Sequence, residues 1–444
     1  MSDNFLLNER SATDLAAGIK AGEITSVELV QACLDRIDAR EPVVKAWVYI
    51  DSELVLAQAR IADEKVKSGA ELGPLHGIPV GLKDIIDTAD MPTCSGSEHF
   101  AGRRPANDAT VVSLLRKSGA IIMGKTVTTE FALTGQRGTT NPHDSNRTPG
   151  GSSSGSGASV ADHMVPLALG SQTGGSMLRP ASYCGAYGYK ATYGKISRKG
   201  VFIIARPLDH VGVYANSLDD IALIADTLMV YDEGDFDMLP DCGAGLVETL
   251  NKPASDGALK LAFVKGPPWA EAEDHLDAVF VPYIKSLGSV VREVELAGIF
   301  DRAVDAQRVV MAANLWHNLA GFCINNRSSL LPETIQRAEA GKMISAEEYI
   351  EAQELVGSLN HAVDQLLGHY DAIITASATG EAPLGLKSTG NAIFQCMWTL
   401  IGVPTISLPL LKGPNGMPIG VQLIGRKGRD TDLFLVAKKL LAAS

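Results

Sequence analysis

Three short blocks of this 444-residue chain combine a lysine, several serines and many glycines, which are residue types suited to covalent catalysis. Lys83 ends an apolar block at 77–84, and glycine and serine dominate the blocks at 150–157 and 170–180. A serine hydroxyl is a useful nucleophile only if a base takes its proton during attack. No histidine lies near these blocks in a recognisable pattern, so lysine is the available base. Because its usual pKa is about 10.4, lysine can act as a base only where burial favours the neutral form.

The third block also contains a candidate site for an oxyanion. Glycine accepts positive φ, so a glycine-rich turn can direct successive backbone N–H groups toward one point. The residues that can do this are Thr173, Gly174, Gly175 and Ser176. Each such donor contributes roughly 2.7–4 kcal/mol to transition-state stabilisation. The same glycines are also compatible with an ordinary tight turn.

Other interpretations compete for these motifs. Residues 119–126 match the phosphate-binding pattern G-x-x-x-x-G-K-T, but the intervening AIIM is apolar and predicts a strand. Residues 151–155 match G-x-S-x-G, yet a nucleophile elbow must follow directly on a strand, and the preceding segment is loop-forming. Taken alone, Lys83 could form a buried ion pair with Asp84 or Asp87. Nucleotide binding and an α/β-hydrolase triad are therefore disfavoured.

Composition narrows the class of protein. The net charge is −12 and no Lys/Arg-rich run occurs, so we expect no nucleic-acid partner. No apolar stretch approaches the roughly 20 residues that span a bilayer, and residues 1–15 lack a signal-peptide pattern. The six cysteines form no C-x-x-C pair and the nine histidines no H-E-x-x-H, so we expect neither metal nor cofactor. A cytoplasmic protein without membrane contact fits best.

Alternating helical and apolar strand patterns predict an α/β fold. A helix is expected over 108–118, with Asp108 as its cap, before a strand at 120–123. Residues 145–159 look like a flexible linker, but an apolar stretch of helix length, 160–169, separates them from the next glycine cluster. Near the C-terminus, Asn415-Gly416 predicts a β-hairpin. The pattern indicates one interrupted sheet.

Together GIPVGLKD at 77–84, GGSSSGSG at 150–157 and GSQTGGSMLRP at 170–180 resemble the amidase signature family. The likeness covers nearly the whole chain and is closest to the malonamidase branch, through GLKDIIDT, TPGGSSSGS and PLALGSQTGGS. The resemblance implies one large α/β domain over 1–444, with a mixed, twisted central sheet covered by helices on both faces. Its core signature region would span about 70–215, and a helical segment at about 300–366 would precede the C-terminal strands.

By position, the resemblance implies that Ser176 is the nucleophile and Lys83 the base. Ser152 would relay the proton between them, following a cis peptide bond at Gly151–Ser152. The glycine-rich turn at 173–176 would form the oxyanion hole.

The sequence departs from the family beside this turn. Many members have Asp four residues before the nucleophile and Arg two residues after it, whereas this chain has Gln172 and, one position later, Arg179. Arg179 has thus lost a carboxylate partner and could either grip an anionic substrate bidentately or form a structural salt bridge elsewhere. Gln172 and Arg137, whose segment borders the substrate pocket in this family, are further candidates for substrate binding.

The expected activity is hydrolysis of a small-molecule amide through an acyl-enzyme, with release of ammonia or an amine by a homodimer. Half-amides of short dicarboxylic acids, carboxylated ureides and plain aliphatic or aryl amides all fit. An alternative is an amidotransferase subunit that supplies ammonia to a partner enzyme. Those relatives resemble GSDTGGSIRQPA around the nucleophile, unlike SQTGGSMLRPA here. A catalytically inactive binding protein is disfavoured because all three catalytic positions are intact.

Overall fold

One mixed β-sheet forms the centre of the protein. The computed structural model describes residues 6–243, 245–253 and 257–443, and within these ranges eleven strands share the sheet. Their order is β1-β3-β2-β4-β6-β5-β10-β11-β9-β7-β8. The strands are β1 (Trp47–Tyr49), β2 (Pro79–Lys83), β3 (Ile121–Thr126), β4 (Leu167–Gln172), β5 (Tyr187–Lys190), β6 (His210–Ala215), β7 (Leu261–Phe263), β8 (Val291–Glu293), β9 (Ala372–Ala376), β10 (Thr405–Lys412) and β11 (Pro418–Ile424).

Helices flank this sheet, which confirms the predicted single α/β domain with a mixed sheet. The three helices α10 to α12 lie between β8 and β9 in the chain, within the segment predicted to be helical. The helices are α1 (Ala12–Ala21), α2 (Ser26–Val44), α3 (Ser52–Lys67), α4 (Thr110–Lys117), α5 (Ser154–Ala161), α6 (Leu178–Cys184), α7 (Leu218–Leu228), α8 (Leu246–Asn251), α9 (Asp274–Ser286), α10 (Ala303–Asn325), α11 (Pro332–Ala340), α12 (Ala346–Leu366), α13 (Ile393–Leu400) and α14 (Asp430–Ala443).

The strands that carry the predicted site are parallel neighbours. β2 pairs with β3 on one side and β4 on the other, and all residues of these three strands are buried. Burial on both faces explains their nearly continuous apolar sequences. The carboxyl ends of parallel strands meet at one edge of a sheet, so the loops after β2 and β4 lie close together. As predicted, the segment matching a phosphate-binding loop is a strand, β3, and not a loop.

The last part of the segment that resembled a linker, from Ser154 onward, is a buried helix. Helix α5 comprises SGSGASVA, and its residues Ser154–Val160 are buried. A Cβ built on Gly155 would lie 2.2 Å from the carbonyl oxygen of Ala46, so glycine lets this helix approach neighbouring backbone closely. The apolar stretch at 160–169 is therefore no separate helix: it contains the end of α5, a turn and the start of β4.

Two further local predictions had different outcomes. The hairpin is confirmed: β10 and β11 pair antiparallel, and Gly416 at the turn has φ 76°. Asp108 is not the cap of α4, whose N-cap is Ala109; its carboxylate instead accepts the backbone N–H of Ala89 and pairs with Arg116. Of the segment used to predict that no signal peptide is present, residues 1–5 lie outside the described ranges. Within those ranges, no helix combines the length and apolar character needed to cross a bilayer.

Candidate active site

The predicted base contacts the predicted bridging serine. Lys83, the last residue of β2, is fully buried, and its Nζ lies 2.7 Å from Oγ of Ser152 and 2.7 Å from Oγ of Ser171. Burial lowers the pKa of Lys83 well below its usual value, while the negative charge of Asp209 acts in the opposite direction. Burial of this kind favours the neutral amine, which is the form that can accept a proton from a hydroxyl.

The ion pair that could have explained Lys83 is not formed. The carboxylate of Asp84 accepts the backbone N–H groups of Cys94 and Gly96, at 2.9 and 3.3 Å. Asp87 pairs with Arg103 at 2.8 Å. Both aspartates thus have other partners, and Lys83 faces serine hydroxyls.

The loop at 150–154 presents Ser152 to the lysine. The peptide bond between Gly151 and Ser152 is cis, as the family resemblance implied. Ser152 is only 3% exposed, and its carbonyl accepts the backbone N–H of Thr129 at 3.4 Å. Ser153 links this loop to β4, because its Oγ lies 3.2 Å from both the backbone N and the carbonyl oxygen of Ser171.

Ser176 lies on the adjacent turn between β4 and α6 and is partly exposed. We call residues 173–176 the glycine turn. Arg179 lies near the start of the helix that follows, α6. Its Nη2 donates to the carbonyl of Gly151, which links α6 to the loop that carries Ser152. The structure therefore gathers all three sequence blocks at one edge of the sheet, with Lys83 and Ser152 in direct contact.

Gln172 holds the glycine turn in place. Its Oε1 accepts the backbone N–H groups of Met177 and Leu178 at 2.9 and 3.2 Å, and its Nε2 donates to Thr399 at 2.9 Å. The side chain is fully buried. This corrects the expectation that Gln172 contacts substrate, because both ends of its amide are bonded to the protein.

Arg179 is buried without an acidic partner. Its Nη1 donates to the carbonyl of Gly390 at 2.7 Å, and its Nη2 donates to Gly151 and, at 3.1 Å, to Thr389. Within the described residues no ion pair includes Arg179, and its Nε has no hydrogen-bond partner. The alternative of a structural salt bridge is thus wrong. The predicted bidentate grip would require the segment at 389–390 to move, since both terminal nitrogens already donate to protein.

Arg137 lies apart from the serines. Its Nη2 donates to the carbonyl of Gly96, and the guanidinium is 3.9 Å from Glu130. It lines a groove of about 420 Å³ whose other walls include Trp47 and Tyr49 of β1. The groove is also lined by Asp84, Val127 and Thr128, and none of the three catalytic candidates lines it.

Sequence reasoning missed several residues that surround the site. Ser171 shares Lys83 with Ser152, because Leu82 pairs with Leu169 and the ends of β2 and β4 are thus side by side. The signal in the sequence was its position within the block at 170–180. Asp209 accepts the hydroxyl of Thr173 at 2.6 Å, and burial raises the pKa of Asp209 to about 6. Asp209 precedes β6 and is remote in sequence, so no local pattern identified it.

A positive field surrounds Cys396 of α13. Its Sγ is 3.9 Å from where a Cβ on Gly174 would lie, which places the thiol beside the glycine turn. Burial raises the pKa of Cys396 to about 11, and the charges of Arg179, Arg308 and Arg337 act to lower it. Arg337, on α11, is accessible to solvent and donates to the carbonyl of Leu133 at 3.2 Å.

A buried lysine among serine hydroxyls, beside a glycine-rich turn, is an arrangement suited to acyl transfer. Across the described residues, no group of three or more His, Cys, Asp or Glu side chains is placed to hold a metal ion. The amidase family model matches residues 28–434, and the chain belongs to this family. It is an amide-hydrolysing enzyme that acts on C–N bonds.

Relatives of known name agree with this assignment. The chain is 33% identical to a subunit of the glutamyl-tRNA(Gln) amidotransferase of Chloroflexus aggregans, over 94% of this chain and 93% of that protein. The corresponding Streptomyces coelicolor protein is 31% identical, over 100% and 97%.

Solved structures share the fold along the whole chain. An inhibitor-bound vestigial protein complex, described as revealing the origins of an s-triazine catabolic enzyme, has TM-score 0.90 and 26% identity over 98% of both chains. The native peptide amidase of Stenotrophomonas maltophilia has TM-score 0.82 and 27% identity, over 97% of this chain and 96% of that one.

Proposed function

We propose that the protein hydrolyses a small amide through an acyl-enzyme formed on Ser176. Ser176 Oγ bonds to the carbonyl carbon, and the carbonyl π electrons move onto oxygen. The proton of Ser176 passes to Ser152 Oγ as the proton of Ser152 passes to Lys83 Nζ. When the C–N bond breaks, the proton returns through Ser152 to the leaving nitrogen. Water then attacks the acyl-enzyme by the same route and releases the acid.

The observation that carries this proposal is the contact between buried Lys83 and Ser152. A base must be deprotonated to accept a proton, and burial favours the neutral amine. The test is Ser176→Ala, which should abolish both amide turnover and labelling by a fluorophosphonate, while the thermal unfolding midpoint stays close to that of the wild type. Activity that survives in this variant would contradict the assignment.

We further propose that the substrate amide carries a negative charge, as in a half-amide of a short dicarboxylic acid or a carboxylated ureide. Arg179 contributes a buried positive charge without a carboxylate partner, and Arg337 contributes an accessible positive charge. Both charges act on the thiol of Cys396, beside the glycine turn. An unpaired buried cation is costly, so an anionic ligand nearby would be bound favourably. A negatively charged substrate also fits the resemblance to the malonamidase branch. Membership of that branch stays a prediction, and so does the homodimer.

A matched pair of substrates tests the charge preference. Malonamate should be cleaved faster than a neutral amide of equal size, and Arg337→Ala should remove roughly 10- to 150-fold of its kcat/KM, the range for a lost charge-assisted hydrogen bond, while sparing the neutral amide. Arg327→Ala is the control, because Arg327 is exposed and already paired with Glu339 at 3.0 Å. Equal slowing of acidic and neutral amides would assign Arg337 a structural role.

A second candidate function is that of an amidotransferase subunit. It is favoured by the named relatives that are about one third identical along nearly the whole chain. Under this alternative the chain would hydrolyse glutamine and deliver ammonia to a partner. Glutamine hydrolysis that rises sharply with a copurified partner would support it, whereas rapid cleavage of free half-amides by the isolated chain would favour the stand-alone enzyme.

A further inference from the structure

Neighbouring groups of the protein engage the carbonyls of Thr173, Gly174 and Gly175 in the glycine turn. The carbonyl of Thr173 accepts from Gln307 Nε2 at 3.1 Å, that of Gly174 from Thr399 Oγ1 at 2.6 Å, and that of Gly175 from the backbone N–H of Arg179 at 3.2 Å. Two of the donors are side chains from α10 and α13, which pack against each other.

This engagement fixes where the N–H groups of the glycine turn point. In a trans peptide unit, the C=O of one residue and the N–H of the next point in opposite directions. Holding the carbonyls of Thr173 and Gly174 therefore turns the N–H groups of Gly174 and Gly175 away from Gln307 and Thr399. Within the described part of the chain, no group accepts from the N–H of Gly174, Gly175 or Ser176. Three donors are thus left for a ligand.

Thr399 can hold the carbonyl of Gly174 only if its single proton points there. A threonine hydroxyl has one proton to donate and also accepts. Gln172 settles the direction, because its Oε1 accepts two backbone N–H groups and its Nε2 must therefore be the donor to Thr399. The Thr399 proton is then directed to acceptors, of which the carbonyl of Gly174 is the shorter contact, at 2.6 Å against 3.0 Å for Gln395.

We propose that Gln172 and Thr399 form a directional hydrogen-bond relay that holds the carbonyl of Gly174 and thereby orients the oxyanion-binding N–H group of Gly175. They act as positioning residues, since neither is placed against substrate. The inference rests on the proposed function, in which a tetrahedral oxyanion forms on attack by Ser176. A neutral amide at position 172 is essential to the relay. A carboxylate could accept the same two backbone N–H groups, but it would draw the Thr399 proton to itself and release the carbonyl of Gly174.

Four variants test the relay. Thr399→Val removes the hydroxyl at nearly constant volume, and Thr399→Ser restores it. Gln172→Glu reverses the hydrogen bond between positions 172 and 399, so that Thr399 becomes the donor. Thr88→Val is the matched control, because Thr88 is also buried and also donates to a carbonyl, that of Met91 at 3.3 Å. The readouts are the rate of fluorophosphonate labelling, the affinity for a boronic acid that forms a tetrahedral adduct, and the unfolding midpoint.

Loss of one oxyanion donor costs about 10²–10³-fold in rate, so misorientation by Thr399→Val or Gln172→Glu should slow labelling by about 10- to 100-fold and weaken boronate binding in parallel. Thr399→Ser and Thr88→Val should label within about threefold of the wild type, because both keep the relay. Substrate binding measured in the Ser176→Ala background should not change.

Wild-type labelling rates in Gln172→Glu would overturn the relay, as would a Thr399→Ser variant as slow as Thr399→Val. Equal weakening of ground-state substrate binding and boronate binding would also overturn it, since that result indicates a general structural defect. The labelling readout needs no knowledge of the substrate. A wild type that labels at Ser176 yet cleaves no amide would therefore contradict the proposed function while the variants still decide the relay.

Discussion

Two buried lysines lie near the ends of the adjacent strands β2 and β3 and have different surroundings. Leu82 pairs with Lys125 and Lys83 with Thr126, so the two side chains come from adjacent parallel strands. Both are fully buried. Nζ of Lys83 contacts the hydroxyls of Ser152 and Ser171, whereas Nζ of Lys125 donates to the carbonyl of Ile86 and, at 2.8 Å, to the hydroxyl of Thr93.

Electrostatics separates the two lysines further. Burial lowers the pKa of Lys125 to about 8, and nearby carboxylates, Asp84 first among them, act to raise it. The pKa of Lys83 is lowered well below the usual value, and the carboxylate that acts to raise it is Asp209. Lys125 is bonded to a carbonyl and to Thr93, which lies outside the three sequence blocks, whereas both partners of Lys83 are serine hydroxyls of those blocks and can pass a proton on. Burial alone therefore does not identify the base. The groups to which each buried lysine is hydrogen-bonded distinguish the two.

The largest expected difference is between Lys83→Met and Lys125→Met. Loss of a general base typically costs about 10²–10⁴-fold, so Lys83→Met should lower kcat/KM for an amide by at least that range. Lys125→Met should stay within about tenfold of the wild type, because its partners take no part in the proposed proton transfer. Steady-state kinetics on both variants, with thermal unfolding as the control for folding, decide the matter. Equal losses of kcat/KM in the two variants would contradict the assignment of different roles to Lys83 and Lys125.

A smaller difference is expected between the two serines that share Lys83. Ser152→Ala breaks the proposed proton path and should slow amide turnover by about 10²–10³-fold, while Ser176 still labels slowly. Ser171→Ala removes only a contact that orients the lysine, so its loss should be about tenfold or less. Turnover and labelling rates are measured on both variants. If Ser171→Ala proves the more damaging change, then Ser171 and not Ser152 passes the proton to Lys83.

The smallest effect is a displacement of the pH profile. Activity requires neutral Lys83, so it should rise as pH increases through the lowered pKa of that lysine. The charge of Asp209 raises the pKa of Lys83, and Asp209→Asn should therefore move the acidic limb toward lower pH. Because the pKa of Asp209 is itself raised to about 6, the two profiles should differ above that pH, where the wild-type carboxylate is ionised.

The check is kcat/KM measured from about pH 5 to about pH 10 for the two proteins, with a conserved unfolding midpoint as the control. A displacement toward higher pH would show that Asp209 acts on the site by another route than its charge.

The candidate catalytic lysine and serines could be named from the sequence because they lie in short blocks with a distinctive residue pattern, and the buried strands beside them have clear apolar sequences. The surroundings could not be predicted in the same way. Thr399 lies 225 residues from the carbonyl of Gly174 that it holds, and such a contact depends on tertiary packing. Arg179 shows the other limit: the sequence showed that its usual acidic partner is replaced by Gln172, but it left open a salt bridge elsewhere and did not indicate the bonds to Gly390 and Thr389 of a distant loop.

Part of helix α5 resembles a linker in sequence for a related reason. Local propensity makes glycine and serine poor helix formers, and here packing overrides that preference. The hydroxyl of Ser156 donates to the carbonyl of Leu169 at 2.8 Å, which satisfies a polar group that would otherwise make burial costly. A run of glycine and serine therefore suggests an exposed, flexible segment more readily than a buried helix.

The glycines of α5 also determine where this enzyme can be made more heat-resistant. Replacing a helical glycine by alanine usually stabilises a protein by about 0.5–1 kcal/mol. At Gly155 the added methyl would meet the Ala46 carbonyl at 2.2 Å, so that substitution would instead displace the helix next to Ser152. Gly321 of α10 and Gly357 of α12 have nothing within 4 Å of an added Cβ. Substitutions intended to raise thermal stability should therefore begin at Gly321 and Gly357 and leave α5 unchanged.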